Sequence, residues 1–420
     1  MPAHRSTRPL TAAVAGLVLL AGCSGGDAPQ PPVASPTTAA PTGSPGIDTA
    51  STTAAALDEL LARRDAAVLD GDRDAFRATV ADPSGADGRA QLAAFDAARA
   101  LRPERLAHDV VAPVDDPSAV DVGVRYRLAG LDRGDRTART RYDLVRDGDR
   151  WLVASESPVA DVQAPPWTAM PGLTVRRTAH AVVAGTLTST DLDAAGRTVD
   201  DALPGLTERW SRTPGRVLVL APATVAEGEA LLGAPADGGV GASTDGPTGD
   251  DGRATGDRVV LDPAAHARLT RTGRAVVLTH ELAHVAVRAT LPGALPTWLS
   301  EGYADHVGYA GANVPVADLL APLTTAVRAG AAPRDLPDAA AFADSGGSLE
   351  VTYLAAWQAV ELLADRGGEK GLDRLLRVCA SRDGEQAAER ACDAALPEVT
   401  GLDRQALTRQ WRQRLDDLAR

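Results

Sequence analysis

Apolar side chains recur at helical spacing at Leu57, Leu60, Leu61, Ala67, Val68 and Leu69, and the run stops at Asp70-Gly71-Asp72. This pattern predicts a helix, a turn and a further helical piece around Phe76. Farther on the period shortens to two: Val120, Val122, Val124, Tyr126 and Leu128 alternate with polar or small residues. A second alternating run at Tyr142 to Val145 faces Trp151 and Val153 across Arg146-Asp147-Gly148-Asp149-Arg150, which predicts an antiparallel hairpin with an Asp-Gly turn. Helices first and a meander afterwards make residues 54–160 an α+β unit.

Pro158 to Pro171, with Pro165-Pro166-Trp167, reads as a linker to a second unit, residues 172–420. Here a β-rich run at Arg216 to Leu220 precedes a helix from Thr224 to Leu232, and Arg258 to Pro263 reads as another strand. The Gly-, Asp- and Thr-rich stretch between Gly238 and Gly256 is expected to be a loop, either plain surface or the rim of a cleft. Helical spacing at Tyr353 to Ala364, Leu372 to Val378 and Leu402 to Leu418 predicts a C-terminal helical subdomain.

The chemistry is concentrated between these parts. From Arg274 to Thr290 the chain has no Gly or Pro and is apolar at most positions, so a buried helix is expected. On it His280 and His284 stand four apart, one above the other, where both imidazoles reach one metal ion. Glu281 is rotated by one residue, beside the metal rather than on it, as a general base for a metal-activated water must be. Two buried histidines and a buried carboxylate each need a partner, and one zinc ion per chain satisfies both imidazoles.

After Leu291-Pro292-Gly293-Ala294-Leu295-Pro296 breaks that helix, Thr297 is placed to cap a second one carrying Glu301, Asp305 and His306. A short loop returns this helix beside the first, so Glu301 is the expected third ligand. Two His and one Glu leave a fourth position open, as a catalytic site requires. Asp305, four residues after Glu301, is placed to accept the other ring N–H of a liganding histidine.

Before the first unit, His4, Arg5 and Arg8 precede an apolar run from Leu10 to Leu20 that is too short to span a bilayer, the pattern of a secretory signal peptide. Residues 1–22 are assigned to it. The Leu20-Ala21-Gly22-Cys23 ending resembles the bacterial lipobox, which implies lipidation of Cys23 and an extracytoplasmic, membrane-anchored protein. Residues 23–53 are Pro, Ser, Thr, Ala and Gly with few large apolar side chains, a tether by composition. In that oxidising setting Cys379 and Cys392 are expected to pair as a disulfide, the alternative being two buried thiols. The charge of −13, from 43 Lys and Arg against 56 Asp and Glu, excludes a broad attraction to nucleic-acid phosphates.

Two family resemblances follow. The helices-then-meander order of residues 54–160 is similar to the SnoaL-like cone, and no convergent His, Asp or Cys set marks it as a second active site. His280-Glu281-Leu282-Ala283-His284 followed by Pro296-Thr297-Trp298-Leu299-Ser300-Glu301-Gly302-Tyr303-Ala304 resembles the gluzincin metallopeptidases, the thermolysin and aminopeptidase-N-like clan. The resemblance spans about Val217 to Leu376 and implies zinc on His280, His284 and Glu301, with Glu281 as catalytic base, Asp305 as orienting aspartate and a peptide or protein as substrate. It also implies a small sheet beside the zinc helix whose edge strand pairs with an extended peptide. Glu350 to Trp357 is similar to the clan's tyrosine helix, which makes Tyr353 the oxyanion candidate, with His306 and Tyr303 as rivals. The loop between His284 and Glu301 is shorter than the clan's usual one, and the Gly-x-Met-Glu-Asn exopeptidase segment is absent from the sequence. A contrasting reading is a catalytically inactive zinc lipoprotein that binds peptides or cell-wall components; in another, the amino-terminal unit is the functional part and the zinc unit its scaffold.

Overall fold

The computed structural model describes residues 49–111, 118–210, 213–235, 241–343 and 349–420. The signal peptide, Cys23 and nearly all of the tether lie outside them. Among the described residues no helix is long and apolar enough to cross a membrane.

Helix and strand mix as the patterning requires. After helices Thr49–Asp70, Arg73–Arg77 and Ala86–Leu101 come strands β1 (Pro103–Val110), β2 (Ala119–Leu128), β3 (Arg136–Asp147) and β4 (Arg150–Pro158), antiparallel in that order. The alternating residues of β2 all face inward, because a period of two sends Val120, Val122, Val124, Tyr126 and Leu128 to one side. At the β3–β4 turn Asp147 pairs with Arg150, and Gly148 supplies a left-handed backbone (φ +61°) that other residues adopt poorly. Leu57, Leu60 and Leu61 of the first helix close over Val120, Val122, Tyr142, Leu144 and Val153 of the sheet.

The second sheet is mixed: β5 (Thr174–Arg177), β6 (Ala181–Gly185), β7 (Val217–Ala221), β8 (Ala242–Asp245) and β9 (Arg258–Leu261), in the order β5-β6-β7-β9-β8. β6, β7 and β9 run parallel, and β8 adds antiparallel to β9 at one edge. Every residue of β6, β7 and β9 is buried, which explains why they are apolar throughout apart from Arg258 at the start of β9: both faces are covered. Val183, Val219 and Val259 face helices Ser189–Arg209 and Arg271–Thr290. Val182, Leu218, Leu220 and Val260 face the other way, into a cluster with Val124, Tyr126 and Leu128 of β2.

That shared cluster corrects the expected linker. Pro165 to Met170 is buried, Met170 completely, and Trp167 meets Tyr126 edge-on at 4.9 Å between the two sheets. The prolines suggested a linker, but an indole and a thioether in the same stretch gain more by burial than by solvation. The expected loop from Gly238 to Gly256 is likewise corrected in part, since β8 runs through it.

The C-terminal helices are Leu349–Cys379, Glu385–Thr400 and Arg404–Leu418. The first is broken at Gly368, whose φ of +62° is non-helical, and so gives the two shorter helical runs read from the sequence. Cys379 and Cys392 form the expected disulfide, joining the end of this helix to Glu385–Thr400.

Candidate metal centre

The helix carrying His280 and His284 spans Arg271–Thr290, starting three residues earlier than read from the sequence because Thr270 caps it through the amide of Gly273. It is packed from all sides, and His280, Glu281 and His284 are no more than 3% exposed. It ends at Leu291. Gly293, at φ +83°, then turns the chain against the backbone of Ser381, a place where a Cβ would stand 2.0 Å from a carbonyl oxygen. In the next helix, Thr297–Ala310, Pro296 and not Thr297 occupies the N-cap position, and no side chain caps it. Thr297 is inside the first turn, where its amide and hydroxyl both donate to the Glu385 carboxylate.

This helix lies against the histidine helix and also against Leu349–Cys379. Gly302 makes the second approach possible, since a Cβ there would stand 2.4 Å from the carbonyl oxygen of Ala356. Glu301 and Asp305 are thereby brought to the histidines. Glu301 Oε2 lies 3.4 Å from Nε2 of both His280 and His284, and the two Nε2 atoms are 3.1 Å apart. Among the described residues these three are the one group of His, Cys, Asp or Glu whose ligand atoms converge in this way.

Those distances fit a metal ion. Zinc held tetrahedrally at about 2.0–2.1 Å sets its ligand atoms about 3.3–3.4 Å apart, close to the edges of this triangle. Glu301 Oε2, although fully buried, has no hydrogen bond of acceptable geometry to either ring. A buried carboxylate oxygen in that position calls for a cation. The tautomers agree: His280 Nδ1 lies 2.8 Å from Asp305 Oδ1 and so carries the proton, which leaves the Nε2 lone pair facing the triangle. Ser300 Oγ stands 3.5 Å from His284 Nδ1, a second outer contact that the sequence reading did not single out.

Without a metal the triad is an ion pair. Burial works against the charge on His280, but the hydrogen bond to Asp305 and the nearby Glu301 carboxylate hold its proton up to about 10. Burial likewise opposes the charge on Glu301, and the neighbouring imidazoles hold it down to about 2. Burial raises Glu281, offset in part by the two histidines and by Thr244. Glu281 is not a corner of the triangle. Its Oε2 accepts a 2.6 Å hydrogen bond from Thr244 Oγ1 on β8, while its Oε1 is buried and without a hydrogen bond.

The three oxyanion candidates are placed differently. Tyr353 is buried with its ring centroid 6.2 Å from that of His280 and 5.0 Å from that of Phe342. His306 has Nδ1 2.7 Å from Glu361 and Nε2 3.0 Å from Glu369, so both ring nitrogens are committed to carboxylates outside the triad. The hydroxyl of Tyr303 accepts from Trp210 Nε1 at 3.0 Å in the core. Of the three, Tyr353 is the one with a ring contact to a member of the triad.

Thr244 was not legible beforehand. Ala-Ser-Thr-Asp offers no large apolar residue to mark a strand, and the alternating burial of Ala242 and Thr244 shows only once the chain is folded. Comparison with known protein families gives no match, and no curated protein matches the chain in sequence.

Proposed function

We propose that this protein is an extracytoplasmic zinc metallopeptidase, anchored to the cell membrane through a lipid on Cys23, whose second unit is gluzincin-like and whose first is SnoaL-like. The observation that carries this reading is the convergence of His280, His284 and Glu301 beside a carboxylate, Glu281, that keeps one oxygen unpartnered. A purely structural zinc site has four protein ligands and no use for a buried acid next to it. Bound zinc supplies Lewis acidity for the scissile carbonyl and acidifies a water at the open position.

The protein's own groups then divide the work. Asp305 holds His280 in the tautomer that ligates. Glu281, fixed through Oε2, takes a proton on Oε1 from the attacking water and passes it to the leaving amine. Tyr353 is the group assigned to steady the oxyanion. The substrate is a peptide or protein; nucleic acid is not a partner.

One observation favours the inactive alternative, an envelope lipoprotein that binds peptides or wall components. Every member of the triad is at most 3% exposed, so a substrate reaches the site only after its surroundings move. The two readings separate with Glu281→Gln, measured for zinc content and for cleavage of fluorescently labelled casein. The peptidase reading expects zinc to stay and turnover to fall by about 10²-fold or more. Casein cleavage unchanged in the variant rejects it.

A further inference from the structure

The amino-terminal sheet reaches the metal centre through one strand. β8 is an edge strand of only four residues, and Thr244 on it is the residue that binds the Glu281 side chain. The next residue, Asp245, is gripped from the other unit: Arg136 of β3 donates through Nη2 to Asp245 Oδ2 at 2.7 Å and through Nη1 to the carbonyl of Gly256 at 2.9 Å. Gln163 donates to the same Asp245 oxygen at 3.0 Å. Arg136 is 6% exposed, so the pair is shielded and the guanidinium fork fixes both of its acceptors.

The neighbouring start of β9 and the residues next to Asp245 are tied down too. Arg258, paired with Asp245 across the β8–β9 ladder, donates to Tyr126 of β2 and lies 3.3 Å from Asp132. Arg288, on the histidine helix itself, donates to Asp257 at 2.9 Å and to the carbonyl of Gly246 at 2.9 Å. A short edge strand has little hold of its own, yet here its C-terminal end is fastened at Asp245 by the buried Arg136 and one residue on, at Gly246, by Arg288. Its burial pattern turns Thr244 toward the histidine helix.

We infer that Thr244 is a positioning residue for Glu281, and that Arg136 makes the amino-terminal unit part of the site by holding the strand on which Thr244 stands. The inference rests on the peptidase reading for its consequence and on the contacts alone for its geometry. The Thr244 hydroxyl has one hydrogen to give. Of the two acceptors in reach, the Glu281 carbonyl at 3.3 Å and Oε2 at 2.6 Å, the nearer takes it, which fixes the carboxylate rotation and leaves Oε1 as the oxygen that handles protons. The β-branched side chain restricts χ1, so the aim of that hydrogen follows the strand. A strand that shifts moves the Glu281 carboxylate relative to the triangle of His280, His284 and Glu301 while leaving those three in place.

The test uses the zinc-loaded chain with labelled casein, comparing Thr244→Val, Thr244→Ser, Arg136→Ala and Asp245→Asn, the last keeping side-chain size should the Arg136 variant fail to fold. Thr244→Val is expected to lower kcat about 10- to 100-fold with KM changed less than about twofold and zinc content unchanged, and Thr244→Ser to recover most of the loss. Arg136→Ala and Asp245→Asn are expected to speed amide hydrogen exchange over residues 242–245 by about tenfold or more and to lower kcat, with no further loss when combined with Thr244→Val. Wild-type kcat in Thr244→Val, no recovery with Ser, or unchanged exchange in both clamp variants overturns the inference. If the wild-type chain does not cleave casein at all, the peptidase reading fails by itself. The geometry is then judged by exchange and by acetohydroxamate affinity for the zinc-loaded protein, which Thr244→Val must weaken for the inference to stand.

Discussion

Asp305 Oδ1 sits 2.8 Å from Nδ1 of His280, and neither side chain is more than 2% exposed. The pair fixes which imidazole nitrogen faces Glu301 and His284, and it joins the two helices of the site independently of any metal. Removing it should lower metal affinity and also cost some stability. Asp305→Ala is expected to weaken zinc binding about 10- to 100-fold in competition with a chromophoric chelator, with far-ultraviolet circular dichroism unchanged. Wild-type affinity would remove Asp305 from the site.

The helix crossing at Gly302 sets the position of its neighbour Glu301. A methyl group there meets the Ala356 carbonyl at 2.4 Å and Val360 Cγ2 at 2.8 Å, so the helices must separate. Gly302→Ala should cost about 1–3 kcal/mol in urea unfolding and reduce zinc affinity together with stability. Gly311→Ala is the control, since nothing lies within 4 Å of a Cβ at that position, and it should be nearly neutral.

His306 is read as a tie between helices rather than as a reacting group. Burial opposes its charge, but Glu361 and Glu369 raise its proton affinity above the ordinary value of 6.5. A raised folded-state value means that the stabilisation is fully present below about pH 6.5 and is lost as the pH rises through the folded value. His306→Ala should thus lower Tm more at about pH 6 than at about pH 9. An equal loss at both would show that packing, not charge, is what His306 contributes.

The parts of the molecule that were legible in the sequence are those where local pattern and tertiary role coincide. The alternation of β2 and the four-residue spacing of His280 and His284 each state a period, and the apolar run of β7 states burial on both faces. Glu301 and Asp305 were legible because a short loop can only send a helix back along its predecessor. Thr244, Arg136 and Asp245 were not, since they lie at positions 136, 244 and 245 and meet only when two sheets pack. The buried Pro165–Met170 segment was misread for the same reason: its exposure depends on a partner sheet that the local sequence does not describe.

The central claim is that His280, His284 and Glu301 hold zinc. Elemental mass spectrometry of the purified chain, beside Glu301→Ala, tests it most directly. The account predicts about one zinc ion per chain in the wild type and a marked loss in the variant, with the disulfide and fold retained. A chain without zinc, or with zinc indifferent to Glu301, would contradict it.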